Sequence, residues 1–122
     1  MEALGRHLII ELYGCDKKKL NDIDLLARML KDSTKAANAT VLGIQVHPLT
    51  PQGVSGVVVL AESHISIHTW PELGYASLDI YTCGSHAKPE EALKVIREYL
   101  SPKIVNVMEI KRGVLVEQYD GA

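Results

Sequence analysis

The sequence predicts an α+β fold, a two-layer α/β sandwich with a mainly antiparallel sheet and two helices on one face. Three observations predict it. Short apolar runs with strand-like alternation recur along the chain, separated by Gly and Pro. Only two segments carry helical spacing of their apolar residues. The composition, with five Tyr, one Trp and no Phe, leaves branched aliphatics to fill the core, which suits buried strands.

Taken in order, His7–Tyr13 is a short apolar run ended by Gly14, a strand. Lys17, Lys18 and Lys19 form a charge run on a solvated surface. Asn21 is placed as a helix N-cap, with Asp22 and Asp24 in the first turn, where the dipole favours acids. Ile23, Leu26, Leu30 and Ala37 then recur at helical spacing, predicting an amphipathic helix over about 21–38. Thr40–His47 reads as a strand with Leu42, Ile44 and Val46 on one face. Pro48 and Pro51 bracket a break, and strands follow at Gly53–Leu60 and His64–Trp70. Pro71–Gly74 makes a turn, and Tyr75–Cys83 alternates again before Gly84. Pro89 opens a second helix over Glu90–Leu100, with Leu93, Ile96 and Leu100 on one side. Ile104–Ile110 and Val114–Val116 are the last strand candidates, and 118–122 reads as a loose tail. Two helices cover only one face of such a sheet, so the other must be polar or meet another sheet in a partner.

The 122 residues make one domain, 1–122. A net charge of −2 gives no electrostatic reason to expect nucleic acid or an anionic membrane as partner. Two cysteines, Cys15 and Cys83, make no disulfide framework, and the start Met1-Glu-Ala-Leu-Gly lacks the pattern of a signal peptide. No apolar stretch approaches the roughly 20 residues that span a bilayer. The expectation is a cytoplasmic protein with reduced thiols.

The chemistry is densest between Ser55 and Cys83. On a strand over 63–70, Ile65 and Ile67 point one way and His64, Ser66, His68 and Trp70 the other. The plain reading is a solvated sheet face. His64 and His68 are roughly 13 Å apart on a strand, too far to share one zinc ion. His47, His68 and Cys83 lack any zinc-finger spacing, and a Cys83–His68 nucleophile pair requires an adjacency the sequence does not show. No lysine is marked for pyridoxal phosphate, and phosphate-binding glycine motifs are absent.

Specific blocks carry a resemblance. Gly5-Arg-His-Leu8, Pro51-Gln-Gly-Val-Ser-Gly-Val-Val-Val59, Ala61-Glu-Ser-His64, Ile67-His-Thr-Trp-Pro-Glu72 and Gly74-Tyr-Ala-Ser-Leu-Asp-Ile-Tyr-Thr-Cys-Gly84 stand in order across about residues 4–112. The chain thereby resembles the short prokaryotic S-adenosylmethionine decarboxylase proenzymes. The resemblance implies self-cleavage at Glu62–Ser63 into a β chain, 1–62, and an α chain, 63–122. Ser63 becomes a pyruvoyl group that holds substrate as a Schiff base, with no metal and no pyridoxal phosphate.

Roles follow residue by residue. Ser55 matches the residue that stabilises the processing oxyanion, although a small residue between Val54 and Gly56 needs no function. His68 matches the base that takes the Ser63 α-proton, where a satisfied sheet histidine is the plainer reading. Cys83 matches the proton donor of turnover. Glu72 matches a ribose-binding glutamate, or is simply a turn carboxylate after Pro71. The resemblance also implies a homodimer of αβ protomers with facing sheets, acting on S-adenosylmethionine for spermidine biosynthesis. One position departs from the pattern: the family's usual adenine-stacking Phe is Leu49 here. Stacking is then lost, replaced by apolar contact, or supplied by Trp70 or a Tyr. That departure keeps arginine or ornithine as alternative substrates. An unprocessed binding subunit is the third reading.

Overall fold

The structure, a computed structural model, describes residues 3–114. Its elements are β1 (Gly5–Tyr13), α1 (Ile23–Ala36), β2 (Val41–Pro48), β3 (Val54–Leu60), β4 (Ser63–Trp70), β5 (Tyr75–Cys83), α2 (Pro89–Leu100) and β6 (Ile104–Arg112). The strands form one sheet in the order β2-β3-β4-β5-β1-β6. Every neighbouring pair is antiparallel, so the sheet is wholly rather than mainly antiparallel.

Alternation along the strands decides the two faces. Leu8, Ile10 and Leu12 of β1, Val54, Val58 and Leu60 of β3, Ile65 and Ile67 of β4, and Ala76, Leu78 and Ile80 of β5 are buried. They pack with Leu26, Met29 and Leu30 of α1 and Ala92, Ile96 and Leu100 of α2 in one core. The helices contact each other, α1 also meeting β2 and β3 and α2 meeting β5. Thr69, buried in this layer, donates to the Leu20 carbonyl at 2.7 Å and accepts from the Val54 N–H at 2.9 Å. The opposite face carries His7, Ser55, His64, Ser66, His68, Ser77, Asp79 and Tyr81, which no helix covers. Among the described residues no helix is long and apolar enough to cross a membrane.

Three sequence expectations are corrected. Asp22, not Asn21, caps α1: its Oδ1 accepts the Leu25 N–H at 3.1 Å. Asn21 closes a 3-10 turn, Lys19–Asn21, and its Oδ1 accepts the Gly53 N–H at 2.9 Å, so it ties the helix entry to the start of β3. Leu42 does not share the inward face with Ile44 and Val46. The β2–β3 register shifts between Val41 and Gly43, and this irregularity leaves Leu42 68% exposed. Val114 stands in a turn rather than a strand, while Leu115–Val116 and the tail 118–122 lie outside the described residues.

Candidate active site

The hairpin between β3 and β4 holds Glu62 and Ser63. Ala61 and Glu62 form its turn, and Ser63 pairs with Leu60 behind it and with Thr82 of β5 beside it. Glu62 is fixed from several sides. Its main-chain oxygen accepts the Cys83 N–H at 2.7 Å. Its carboxylate accepts the Thr40 N–H at 2.9 Å and meets His86 Nε2 at 2.8 Å. The Thr40 bond first, and His86 second, hold this carboxyl below its ordinary pKa. Ser63 itself has φ 135°, a region that a side chain with Cβ rarely occupies. A strained residue thus follows directly on a carbonyl that a backbone donor polarises.

Cys83 ends β5 and pairs with Gly5 of β1. Its thiol fits there because residue 5 has no side chain. A Cβ on Gly5 would lie 2.8 Å from Tyr81 Cε1, 2.9 Å from the Thr82 carbonyl and 3.0 Å from Cys83 Sγ. Cys83 is half-buried, whereas Cys15 is buried in the core, and burial pushes its thiol pKa up to about 11. Only Cys83 stands at the Glu62–Ser63 end of the sheet.

The remaining predicted residues lie elsewhere on the molecule. His68 is five positions beyond Ser63 on β4, about 17 Å along the strand at ~3.3 Å per residue. It is opposite Ser55 on one side and Ser77 on the other. With His47, Ser66 and Asp79 these line an open concavity of about 250 Å³. The His68 ring stacks on Trp70 at 4.0 Å, and Trp70 lies 5.0 Å from the Tyr75 ring. Glu72 is exposed in the 3-10 turn Pro71–Leu73 after β4. Leu49 follows β2, its N–H bonded to the Gly53 carbonyl at 2.8 Å. Trp70, Glu72 and Leu49 therefore sit at the opposite end of the sheet, with Trp70 about 23 Å from Ser63 along β4.

This register dismisses two arrangements within one chain. His68 pairs with Ser77, six residues from Cys83, so they are about 20 Å apart and form no nucleophile pair. His47 and His68 flank Ser55 in one row, remote from Cys83. Among the described residues no three His, Cys, Asp or Glu side chains are grouped to hold a metal ion.

The family model described as S-adenosylmethionine decarboxylase matches residues 6–113. The chain belongs to the S-adenosylmethionine decarboxylase family. It is 53% identical over 117 residues to the S-adenosylmethionine decarboxylase proenzyme of Methanococcus aeolicus, covering 96% of this chain and 100% of that protein. It is 47% identical over 118 residues to the proenzyme of Thermomicrobium roseum, again covering 96% and 100%. The crystal structure of the adenosylmethionine decarboxylase from Aquifex aeolicus superposes with a TM-score of 0.88 at 39% identity, covering 93% of this chain and 94% of that one. The proenzyme name of these relatives carries the idea of self-cleavage. In this S-adenosylmethionine decarboxylase fold, Ser63, Glu62 and Cys83 adjoin, whereas Ser55 and His68, and beyond them Trp70, Glu72 and Leu49, form groups farther along the open face.

Sequence reasoning missed Thr40 and His86, which clamp Glu62, because both come from loops distant in sequence. It also set His64 aside. Strict alternation puts residues 63 and 64 on opposite faces. In the structure Ser63 Oγ lies 3.3 Å from His64 Nδ1. The φ of Ser63 breaks the alternation, and no sequence period reports that.

Proposed function

We propose that the chain is a self-cleaving, pyruvoyl-dependent S-adenosylmethionine decarboxylase whose product donates an aminopropyl group for spermidine formation in the cytoplasm. The observation that carries the reading is the Glu62–Ser63 bond, strained at Ser63 and held at its carbonyl oxygen by the Cys83 N–H at 2.7 Å. The Ser63 hydroxyl attacks the Glu62 carbonyl carbon and an ester replaces the amide. Negative charge develops on the oxygen that Cys83 N–H already faces, so this donor needs no reorganisation. His68 then removes the Ser63 α-proton, the ester bond to Ser63 Cβ breaks, and chain 1–62 leaves ending in Glu62. Hydrolysis of the dehydroalanine left at position 63 releases ammonia and yields the pyruvoyl group. Residues and fit agree: Ser63 is the first residue of β4, and a break before it preserves the strand pairing with β3 and β5 that holds both chains. The pyruvoyl ketone supplies the electron sink for decarboxylation. Cys83, at the same strand end, supplies the proton that replaces CO₂.

In this reading a second copy completes the site. One chain cannot bring His68 to Ser63 across about 17 Å of its own strand. A two-fold related sheet laid on the open face brings the His68 end of one protomer over the Ser63 end of the other. Ser55, His68, Glu72, Leu49 and Trp70 then serve the partner's Ser63 and Cys83. The exposed Val59, Tyr13, Ile104, Met108 and Ile110 lie on this open face and supply apolar area for the contact. Glu72 takes the ribose hydroxyls. Leu49, with no aromatic ring, offers the base only apolar contact, and this one residue favours weighing arginine or ornithine as substrates.

Mass spectrometry of the purified protein tests the processing. Fragments 1–62 and 63–122 are expected, the second without a free amine, and S63A is expected to stay whole. A chain that never breaks indicates a binding subunit. Release of labelled CO₂ from S-adenosylmethionine, arginine or ornithine in parallel decides the substrate, and no release from the sulfonium compound sinks the proposal.

A further inference from the structure

We propose that His64 is the catalytic base of the first processing step, taking the Ser63 hydroxyl proton within the same chain, while His68 serves only the later elimination. This rests on the reading of Ser63 as the cleavage residue. Ser63 Oγ and His64 Nδ1 are 3.3 Å apart, inside the reach that proton transfer needs once the attack geometry tightens. His68, about 17 Å away along β4, cannot touch that hydroxyl in the same chain. Among the described residues, Ser63 Oγ is the hydrogen-bonding partner of the His64 ring. The ring is packed edge-on against His7 at 6.4 Å and Tyr81 at 5.8 Å, which fixes its plane without occupying Nδ1. His7 is itself held by Asp79 at 2.9 Å and Arg112 at 3.1 Å, so it does not compete for the serine.

The contact depends on the backbone. Successive strand side chains diverge. The φ of 135° at Ser63 turns its hydroxyl back toward its neighbour. With the Nε2–H tautomer, Nδ1 accepts the Oγ proton as Oγ bonds to the Glu62 carbonyl carbon. The bond from that carbon to the Ser63 nitrogen then breaks, and the same proton passes from Nδ1 to the leaving nitrogen. The product is an ester on Ser63 Oγ with a free amine, and no proton is gained or lost. The backbone conformation of Ser63 thus builds the contact.

The experiment follows the intact chain and its ester with time in the full-length wild type, S63A, H64A, H64N and H68A. Hydroxylamine cuts an ester and spares an amide, so it tells the two forms apart. H64N keeps an acceptor near the Nδ1 position but takes up no proton, and serves where H64A does not fold. Folding is checked by thermal melting against S63A. Both His64 variants are expected to stay whole at least ~100-fold longer than wild type and to resist hydroxylamine. H68A is expected to accumulate hydroxylamine-labile chain. Wild-type cleavage in either folded His64 variant, or an ester building up in it, overturns the role of His64. Cleavage of S63A, or a wild-type break elsewhere, overturns instead the assignment of Ser63.

Discussion

At the scale of single residues, the two cysteines show how placement assigns chemistry. Cys15 lies in the core, 6% exposed, and burial lifts its pKa from 9.0 to about 11. The folded state therefore holds the thiol proton more tightly than the unfolded state. Its stabilising contribution is complete below pH 9 and is lost as the pH rises toward 11, amounting to about 2–3 kcal/mol for two pKa units. The unfolding free energy of S63A, from urea titrations between pH 8 and 11, is expected to fall by that amount more than that of S63A/C15A. Cys83 donates its amide to the Glu62 carbonyl, and its half-buried thiol stands at the same end of the sheet. C83A removes the thiol and leaves the amide that bonds the Glu62 carbonyl. Cleavage of C83A is expected to proceed while CO₂ release drops roughly 100-fold or more. Fragment masses and labelled CO₂ check the two halves of this statement separately, and an uncleaved C83A assigns the thiol to processing as well.

At the scale of elements, strand ends carry the site. β1 approaches β5 closely because Gly5 lacks a Cβ. In G5A the new atom meets the Thr82 carbonyl, a backbone atom that cannot swing aside, so the strands must separate next to Cys83. A loss of about 1–3 kcal/mol in thermal unfolding is expected, as for other overpacked sites. Cleavage is expected to slow with it, because the Cys83 N–H moves off the Glu62 carbonyl. D22A removes the α1 cap far from the site and is expected to cost about 1 kcal/mol without altering cleavage. The comparison separates a site effect from a general loss of stability. Elements were legible to the extent that their periods were regular. Tyr75–Cys83 matches its strand end to end, since alternation runs unbroken there. Leu42 was misplaced because a register shift interrupts the count, and Asn21 because two adjacent residues offer equivalent capping side chains.

At the scale of the whole molecule, a sheet covered by helices on one side presents a polar face with exposed apolar residues along its β6 edge. The proposed partner sheet makes a specific prediction. H68A and S63A are each expected to fail to process alone. Co-expressed, they are expected to cleave the H68A chain, because its Ser63 meets the intact His68 of the S63A chain. Mass spectrometry identifies which chain breaks, and an H68A chain that stays whole in the mixed dimer refutes a shared site. The α+β class, the bare second face and, through the blocks around Ala61–His64 and Gly74–Gly84, the family and its candidate residues are legible in the sequence. Those are local properties, carried by period, composition and motif. Which of these residues meet follows from the strand pairing. Antiparallel register fixes Cys83 beside Glu62 and sends His68 about 17 Å along the strand. The departure of one φ at Ser63 joins two side chains that alternation would separate. Neither register nor a strained dihedral is written in spacing, because both arise from strands pairing across the sheet.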